Sequence, residues 1–174
     1  ACVNCGEIAS SQVKITKQSA TIVYAGNGQK ASVTITAKGD GLKYTWYVKD
    51  VEDSKYYKSS VTAATYTQKM SAVTSGRKAY CVVIDKYGNE VKSKTFTLRR
   101  QATITKESAT ASYANKGKYA SVKVTAAGDG LKYTWYAKDP GDKKYYKSSI
   151  TSSTYKAKIT ATTKGRKVYC IVTD

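Results

Sequence analysis

The chain has 174 residues, 41% of them hydrophobic and 24% charged, with 16 Tyr, a single Pro and a net charge of +18. This Tyr- and Thr-rich composition is that of a β-sheet protein rather than a disordered one, and no apolar run approaches the roughly 18 residues of a membrane-spanning helix. There is no His, which removes the commonest general base and the Ser-His and Cys-His pairs, so no enzyme is expected and no catalytic residue is assigned.

Residues 1–12 form an N-terminal segment containing Cys2 and Cys5 in the run Ala-Cys-Val-Asn-Cys-Gly. A zinc site needs four ligands, and with no His and no second Cys-x-x-Cys this pair cannot supply them. A redox pair belongs at a helix start in a βαβ unit, which the all-β pattern denies. A local Cys2–Cys5 disulfide, an interchain bridge or a pair of free thiols is left, with no metal and no cofactor.

The strands then follow in order. Residues 13–17 and 20–24 read as a broken first strand, and Ala31, Val33, Ile35 and Ala37 alternate with Ser32, Thr34 and Thr36 as a half-buried second. The turn Lys38-Gly39-Asp40-Gly41 leads to Leu42, Tyr44, Trp46 and Val48, which alternate with Lys43, Thr45, Tyr47 and Lys49. Further strands are predicted over 56–60, 65–70, 78–85 and 91–98. A Gly88-Asn89 hairpin should set the register of the last pair and turn Phe96, the sole Phe, and Leu98 inward. Seven short strands with turns every eight to twelve residues predict an antiparallel β-sandwich.

The pattern then repeats. Residues 13–85 align with 102–174 at a constant offset of 89, with 45 of 73 positions identical, including GDGLKYTWY and KYYKSS. A period of 89 is too long for a solenoid unit and matches a whole small β-domain. The expected domains are 13–101, complete, and 102–174, which lacks an equivalent of 86–100 and so of the last strand. Differences between the repeats fit this alternation: Val23 becomes Ser112 and Thr34 becomes Lys123, both assigned to solvent, whereas Val33 remains Val122. The second repeat should therefore expose its core and be the less stable half.

Aromatic and cationic residues recur together on the faces assigned to solvent. Tyr47, Tyr56, Tyr57, Tyr66 and Tyr80 return as Tyr136, Tyr145, Tyr146, Tyr155 and Tyr169, interleaved with Lys such as Lys58 and Lys147. Tyr47, Tyr56, Tyr57, Lys58 and Tyr80, with Tyr136, Tyr145, Tyr146, Lys147 and Tyr169, form a candidate ligand surface that could stack on sugars while attracting acidic groups. Of the 30 cations only four are Arg, so diffuse attraction to polyanions such as acidic glycans is expected rather than specific reading of nucleic acid.

A Trp facing a Cys three strands later, Trp46 with Cys81 and Trp135 with Cys170, resembles the core pin of an immunoglobulin-like domain. More narrowly, GDGLKYTWYVKD, KYYKSSVTAATY and GRKAYCVVIDKYGNEV resemble the tandem immunoglobulin-like domains of cell-surface and secreted proteins of Gram-positive, often gut-dwelling, bacteria. The resemblance covers almost all of residues 13–174. It implies two Ig-like sandwiches in series on the cell exterior, acting as a structural or adhesive module that spaces other parts or binds surface glycans weakly, with other copies or neighbouring repeats as partners. Two departures stand out: Val33 and Ile35 occupy the place of the second Cys of an intersheet disulfide, and Tyr80 directly precedes Cys81. An alternative is a self-assembling subunit whose second repeat accepts a strand from another chain. A third is a nonspecific nucleic-acid binder acting through Lys and Tyr.

Overall fold

In the computed structural model, residues 12–174 are described, and they fold into two compact units that divide between Arg99 and Arg100. Cys2 and Cys5 lie outside the described residues. The first unit contains β1 (Lys14–Gln18), β2 (Ile22–Gly26), β3 (Lys30–Lys38), β4 (Lys43–Lys49), β5 (Tyr57–Lys58), β6 (Thr65–Lys69), β7 (Arg77–Ile84), β8 (Glu90–Lys92) and most of β9 (Phe96–Gln101). The second contains β10 (Thr103–Glu107), β11 (Tyr119–Ala127), β12 (Lys132–Lys138), β13 (Tyr146–Lys147), β14 (Thr154–Lys158) and β15 (Lys167–Thr173). The all-β fold predicted from alternation is therefore the one observed.

Unit 1 has two sheets, one ordered β1-β3-β6 and the other β2-β9-β7-β4-β5, with β8 also pairing with β7. The inward residues of β3 and β7 meet between them: Val33, Ile35, Ala79, Cys81 and Val83 are at most 1% exposed, as are Trp46, Met70, Phe96 and Leu98. Trp46 lies directly opposite Cys81 in the β4–β7 register, and its indole N–H donates to the carbonyl of Ala63 at 2.8 Å. The large ring thus fills the core without leaving a donor unpaired. Gly41 sits at φ +58 in the turn before β4, a conformation that a side chain would strain.

The last strand is not continuous as predicted over 91–98. It breaks into β8 and β9 at Ser93, whose hydroxyl accepts the Cys81 amide at 2.8 Å and whose own amide donates to the Cys81 carbonyl at 2.8 Å. A side chain has replaced a rung of the ladder, letting the strand step while Phe96 and Leu98 still reach the core. The preceding hairpin turns at Gly88, φ +86, and is held by buried Asp85, whose Oδ1 accepts the amides of Tyr87 and Asn89.

Val23 corrects a second expectation. It packs against the core of unit 1 rather than facing solvent, because β2 joins the sheet through β9, with the Thr97 amide donating to the Thr21 carbonyl at 2.7 Å.

Unit 2 repeats this plan in part, with sheets β10-β11-β14 and β13-β12-β15. Even the register irregularity of β1, between Ile15 and Lys17, recurs in β10 between Ile104 and Lys106. Trp135 again faces Cys170, and its N–H donates to the Ser152 carbonyl at 2.7 Å. There are no counterparts of β8 and β9, and β15 is the outer strand of its sheet. The buried core shrinks to Val124, Trp135 and Tyr155, while Val122, Val168, Cys170 and Val172 are only half-buried. Residues 111–115, aligned with β2, form no strand, since the partner that would pair with them is missing from this unit.

The two thiols differ accordingly. Desolvation pushes the buried Cys81 thiol up to about 11, and it raises Cys170 as well, although that residue is half-exposed. In a Cys2→Ser/Cys5→Ser background, a disulfide reagent at pH 8 should modify one thiol in the native chain, Cys170, and the second only on unfolding. Two fast-reacting native thiols would contradict this assignment.

Candidate functional site

Each unit carries a tyrosine cluster on the outer face of its β4- or β12-containing sheet. Tyr47 and Tyr80 are register partners across β4 and β7, and their rings stack at 5.2 Å between centroids. Tyr56, just before β5, meets Tyr80 edge-on at 4.9 Å, and Lys92 Nζ lies 4.0 Å from the Tyr80 ring centre. Lys58 pairs with Tyr47 in register, and Tyr57 projects into solvent at 48% exposure with Lys55 Nζ 5.8 Å from its ring centre.

The arrangement recurs in unit 2. Tyr136 and Tyr169 stack at 5.1 Å, Tyr145 meets Tyr169 edge-on at 4.9 Å, Lys147 pairs with Tyr136, and Lys144 lies 5.7 Å from the Tyr146 ring centre. Tyr169 is 43% exposed, whereas Tyr80 is half-buried under Lys92, whose strand has no counterpart in unit 2. Eight of the ten predicted surface residues thus share the outer faces, four in each unit, whereas Tyr57 and Tyr146 pair with the inward-facing Val48 and Ala137 and lie on the other side of the sheet. Cross-strand and edge-to-face aromatic contacts of this kind contribute on the order of 0.5–1.5 kcal/mol each and hold the rings in place as a platform.

Tyr66 and Tyr155 do not belong to that surface. They are 3% and 6% exposed, lie opposite Val33 and Val122 in register, and pack on Trp46 and Trp135 with ring centres 5.6 and 5.5 Å apart. Their hydroxyls serve a polar clamp that the strand pattern did not reveal. Arg77, opening β7, donates through Nε and Nη2 to the two carboxylate oxygens of Asp50, both at 2.6 Å, while Nη1 reaches the Tyr66 hydroxyl at 3.1 Å and Gln68 Oε1. Because β4 and β7 share one sheet and β6 belongs to the other, this fork ties the two layers together. Arg166 repeats it on Asp139, at 2.6 and 2.7 Å, and on Tyr155 at 3.1 Å. A signal for it was present, since two of only four Arg residues fall at the same repeat position, each 27 residues after an identical Asp.

The bidentate contact gives unit 2 an acid sensitivity. Hydrogen bonding to Arg166 holds the Asp139 carboxyl below its ordinary value. A native pKa below the unfolded one means that the contribution is complete above the unfolded carboxylate value of about 4 and is lost as pH falls through the lowered native value. Urea midpoints of unit 2 should therefore fall between pH 5 and pH 3. In Asp139→Asn, a lower midpoint at pH 7 should come with a shallower acid dependence, and an unchanged slope would contradict the linkage.

Among the described residues, no helix is long and apolar enough to cross a membrane, and no three His, Cys, Asp or Glu side chains come together in a way that could hold a metal.

No family model matches the chain, and no curated protein matches it. Solved structures do. One, on the structural basis for Dscam isoform specificity, matches at TM-score 0.51 and 15% identity over 96% of this chain and 43% of that one. The N-terminal four Ig domains of Dscam1 isoform 4.44 match at TM-score 0.48 and 14% identity, over 94% of this chain and 42% of that one. The fibronectin(III)-like modules of CbhA from Clostridium thermocellum match at TM-score 0.29 and 12% identity, over 85% and 79%. The chain thus spans less than half the length of the Dscam chains it matches. At these identities the likeness concerns fold alone, and that fold is a tandem of Ig-like antiparallel β-sandwiches, the second without the last strand of the first.

Proposed function

We propose that the chain is a non-catalytic structural and adhesive module of the exterior of a Gram-positive bacterium, spacing other parts of its protein and holding acidic surface glycans weakly. The observation that carries this reading is the duplicated tyrosine platform with its lysines. A sheet needs neither three clustered outward rings nor a half-exposed ring on its short edge strand, Tyr57 in unit 1 and Tyr146 in unit 2, to fold, yet each unit builds both. Tyr faces stack on sugar rings, and the Lys surround supplies attraction to carboxylates without selecting a sequence of bases. Repetition matters because two weak sites on one ligand chain bind far better than one.

The test is retention on an acidic-polysaccharide array. Saturable retention should drop at least about tenfold in Tyr57→Ser/Tyr146→Ser, since the exposed ring is removed from both units at once. Retention no better than that of a Lys-matched unrelated domain would overturn the reading.

A second reading rests on the outer edge of β15, where Tyr169 and Ile171 are 43% and 47% exposed beside the half-buried Val168, Cys170 and Val172. Such an edge accepts a strand, and another copy of the chain could provide one. Multimers that grow with concentration in mass photometry support assembly; a monomer across the range removes it.

A further inference from the structure

We propose that the outer edge of β15 in unit 2 binds an extended segment of a separate polypeptide with the sequence pattern Val-Lys-Ser-x-x-Phe-x-Leu, the pattern that unit 1 seats on the same edge from its own chain. The proposal rests on the second reading above, that this edge takes a strand, and it names the strand.

Unit 1 shows the occupied state. Along β7, Ile84, Val83 and Val82 stand opposite Glu90, Val91 and Lys92, and Ala79, Lys78 and Arg77 stand opposite Phe96, Thr97 and Leu98. Between these two stretches Ser93 takes the Cys81 amide on its hydroxyl and gives its own amide to the Cys81 carbonyl. Val91, Phe96 and Leu98 pack on the core and Ser93 is buried with them. Lys92 turns to the other face, with its Nζ 4.0 Å from the Tyr80 ring centre.

Unit 2 presents the same receiving edge. Arg77, Lys78, Tyr80, Cys81 and Val83 return unchanged as Arg166, Lys167, Tyr169, Cys170 and Val172. Trp135 faces Cys170 as Trp46 faces Cys81, so the Cys170 amide and carbonyl point to the outer edge, where Ser93 meets those of Cys81. Exposure marks the footprint of the strand: Ala79, Cys81 and Val83 are fully buried, whereas Val168, Cys170 and Val172 are half-buried. The Tyr169 ring keeps the stacked and edge-on neighbours that Tyr80 has, but it is exposed where Lys92 shields Tyr80. A segment docked in the unit 1 register therefore brings its valine to Val172, its hydroxyl to the Cys170 backbone, its lysine to Tyr169, its phenylalanine beside Trp135 and its leucine beside Arg166. Main-chain pairing supplies affinity, and the positions of alternate side chains supply selection. Charge cannot drive the contact: residues 86–100 carry five cations and one acid, the same sign as the receiving chain, so apolar burial and hydrogen bonds carry it. One inward position differs, since Val168 stands where Ala79 faces Phe96, and its larger side chain narrows the seat for the ring.

The test uses the full chain, isotopically labelled and carrying Cys2→Ser/Cys5→Ser, titrated at about 0.15 M salt with a synthetic peptide of the 86–100 sequence and followed by NMR. The peptide should shift signals of Val168, Cys170 and Val172 saturably and leave those of Ala79, Cys81 and Val83 unmoved. It should also slow the reaction of Cys170 with a disulfide reagent at least about tenfold. A peptide carrying Phe96→Ala and Leu98→Ala should bind about a hundredfold more weakly, as deletion of two fully buried side chains implies. A folded Val168→Ala chain should bind the native-sequence peptide at least as tightly. No saturable shift, equal binding by the double-alanine or a scrambled peptide, shifts away from β15, or an unchanged Cys170 rate overturns the proposal, and weaker binding by Val168→Ala overturns its register. Peptide binding to a chain that stays monomeric across the concentration range removes self-assembly and leaves this site standing. Multimers that protect Cys170 and do not yield to the peptide make a second copy the occupant and overturn it.

Discussion

Replacing Phe96 by Ala should cost unit 1 about 3–5 kcal/mol, a large share of the 5–15 kcal/mol that holds a small domain together. The side chain is fully buried, its ring centre is 6.3 Å from that of Trp46, and it closes the core from the strand that also carries Leu98. The removed atoms leave a cavity against Trp46, and β9 would also hold β2 less firmly. Urea titration followed through NMR signals of Val33 and Val83 isolates unit 1, and the signals of Val124 in unit 2 should keep their midpoint. A loss below about 1 kcal/mol would mean that the core of unit 1 does not depend on its last strand. Unit 2 illustrates the same dependence: Cys81 and Val83 are fully buried, whereas Cys170 and Val172 are half-exposed.

Arg77→Lys should cost unit 1 about 1–3 kcal/mol, less than the 3–5 kcal/mol of breaking a fully buried pair because both partners retain some solvent. The Arg77 and Asp50 side chains are 17% and 22% exposed. Lys keeps the positive charge but has no fork, so it cannot grip both Asp50 oxygens while also reaching Tyr66 and Gln68. If the ion pair acted through charge alone, Lys would restore wild-type stability, and that result would remove the clamp from the account. Arg166→Lys should weaken unit 2 in the same direction, with a smaller loss because no Gln68 equivalent is forfeited.

Strand alternation made most of this fold legible, and its failures have local physical causes. Trp46, Val33 and Cys81 could be placed because each sits in a run whose neighbours alternate cleanly. Tyr66 could not, since its strand reads Thr-Tyr-Thr-Gln-Lys and the inward position after Tyr66 is Gln68, a polar residue admitted to the interior by hydrogen bonds to Arg77 and Tyr66. The pattern was polar on both faces, and a one-residue error of phase reverses every assignment. The break at Ser93 was invisible for a related reason: a side-chain hydroxyl took over a backbone rung, and no periodicity registers such a substitution. The stacked tyrosines could be named because they repeat on an outer face, whereas the fork of Arg77 on Asp50 had only its repeated 27-residue spacing to mark it.

The dependence of β2 on β9 has a consequence for how such a unit is made. Strands 75 residues apart along the chain must both be present before the larger sheet of unit 1 is whole, since residues 21–26 have their place beside β9 and residues 111–115, which lack that neighbour, form no strand. A ribosome or a secretion channel delivers the chain from its N-terminus, so the earliest segment of unit 1 waits for almost the latest. Until Phe96 and Leu98 emerge, the nascent unit has an open interior and an unprotected edge, and unit 2 of this chain is a picture of that waiting state.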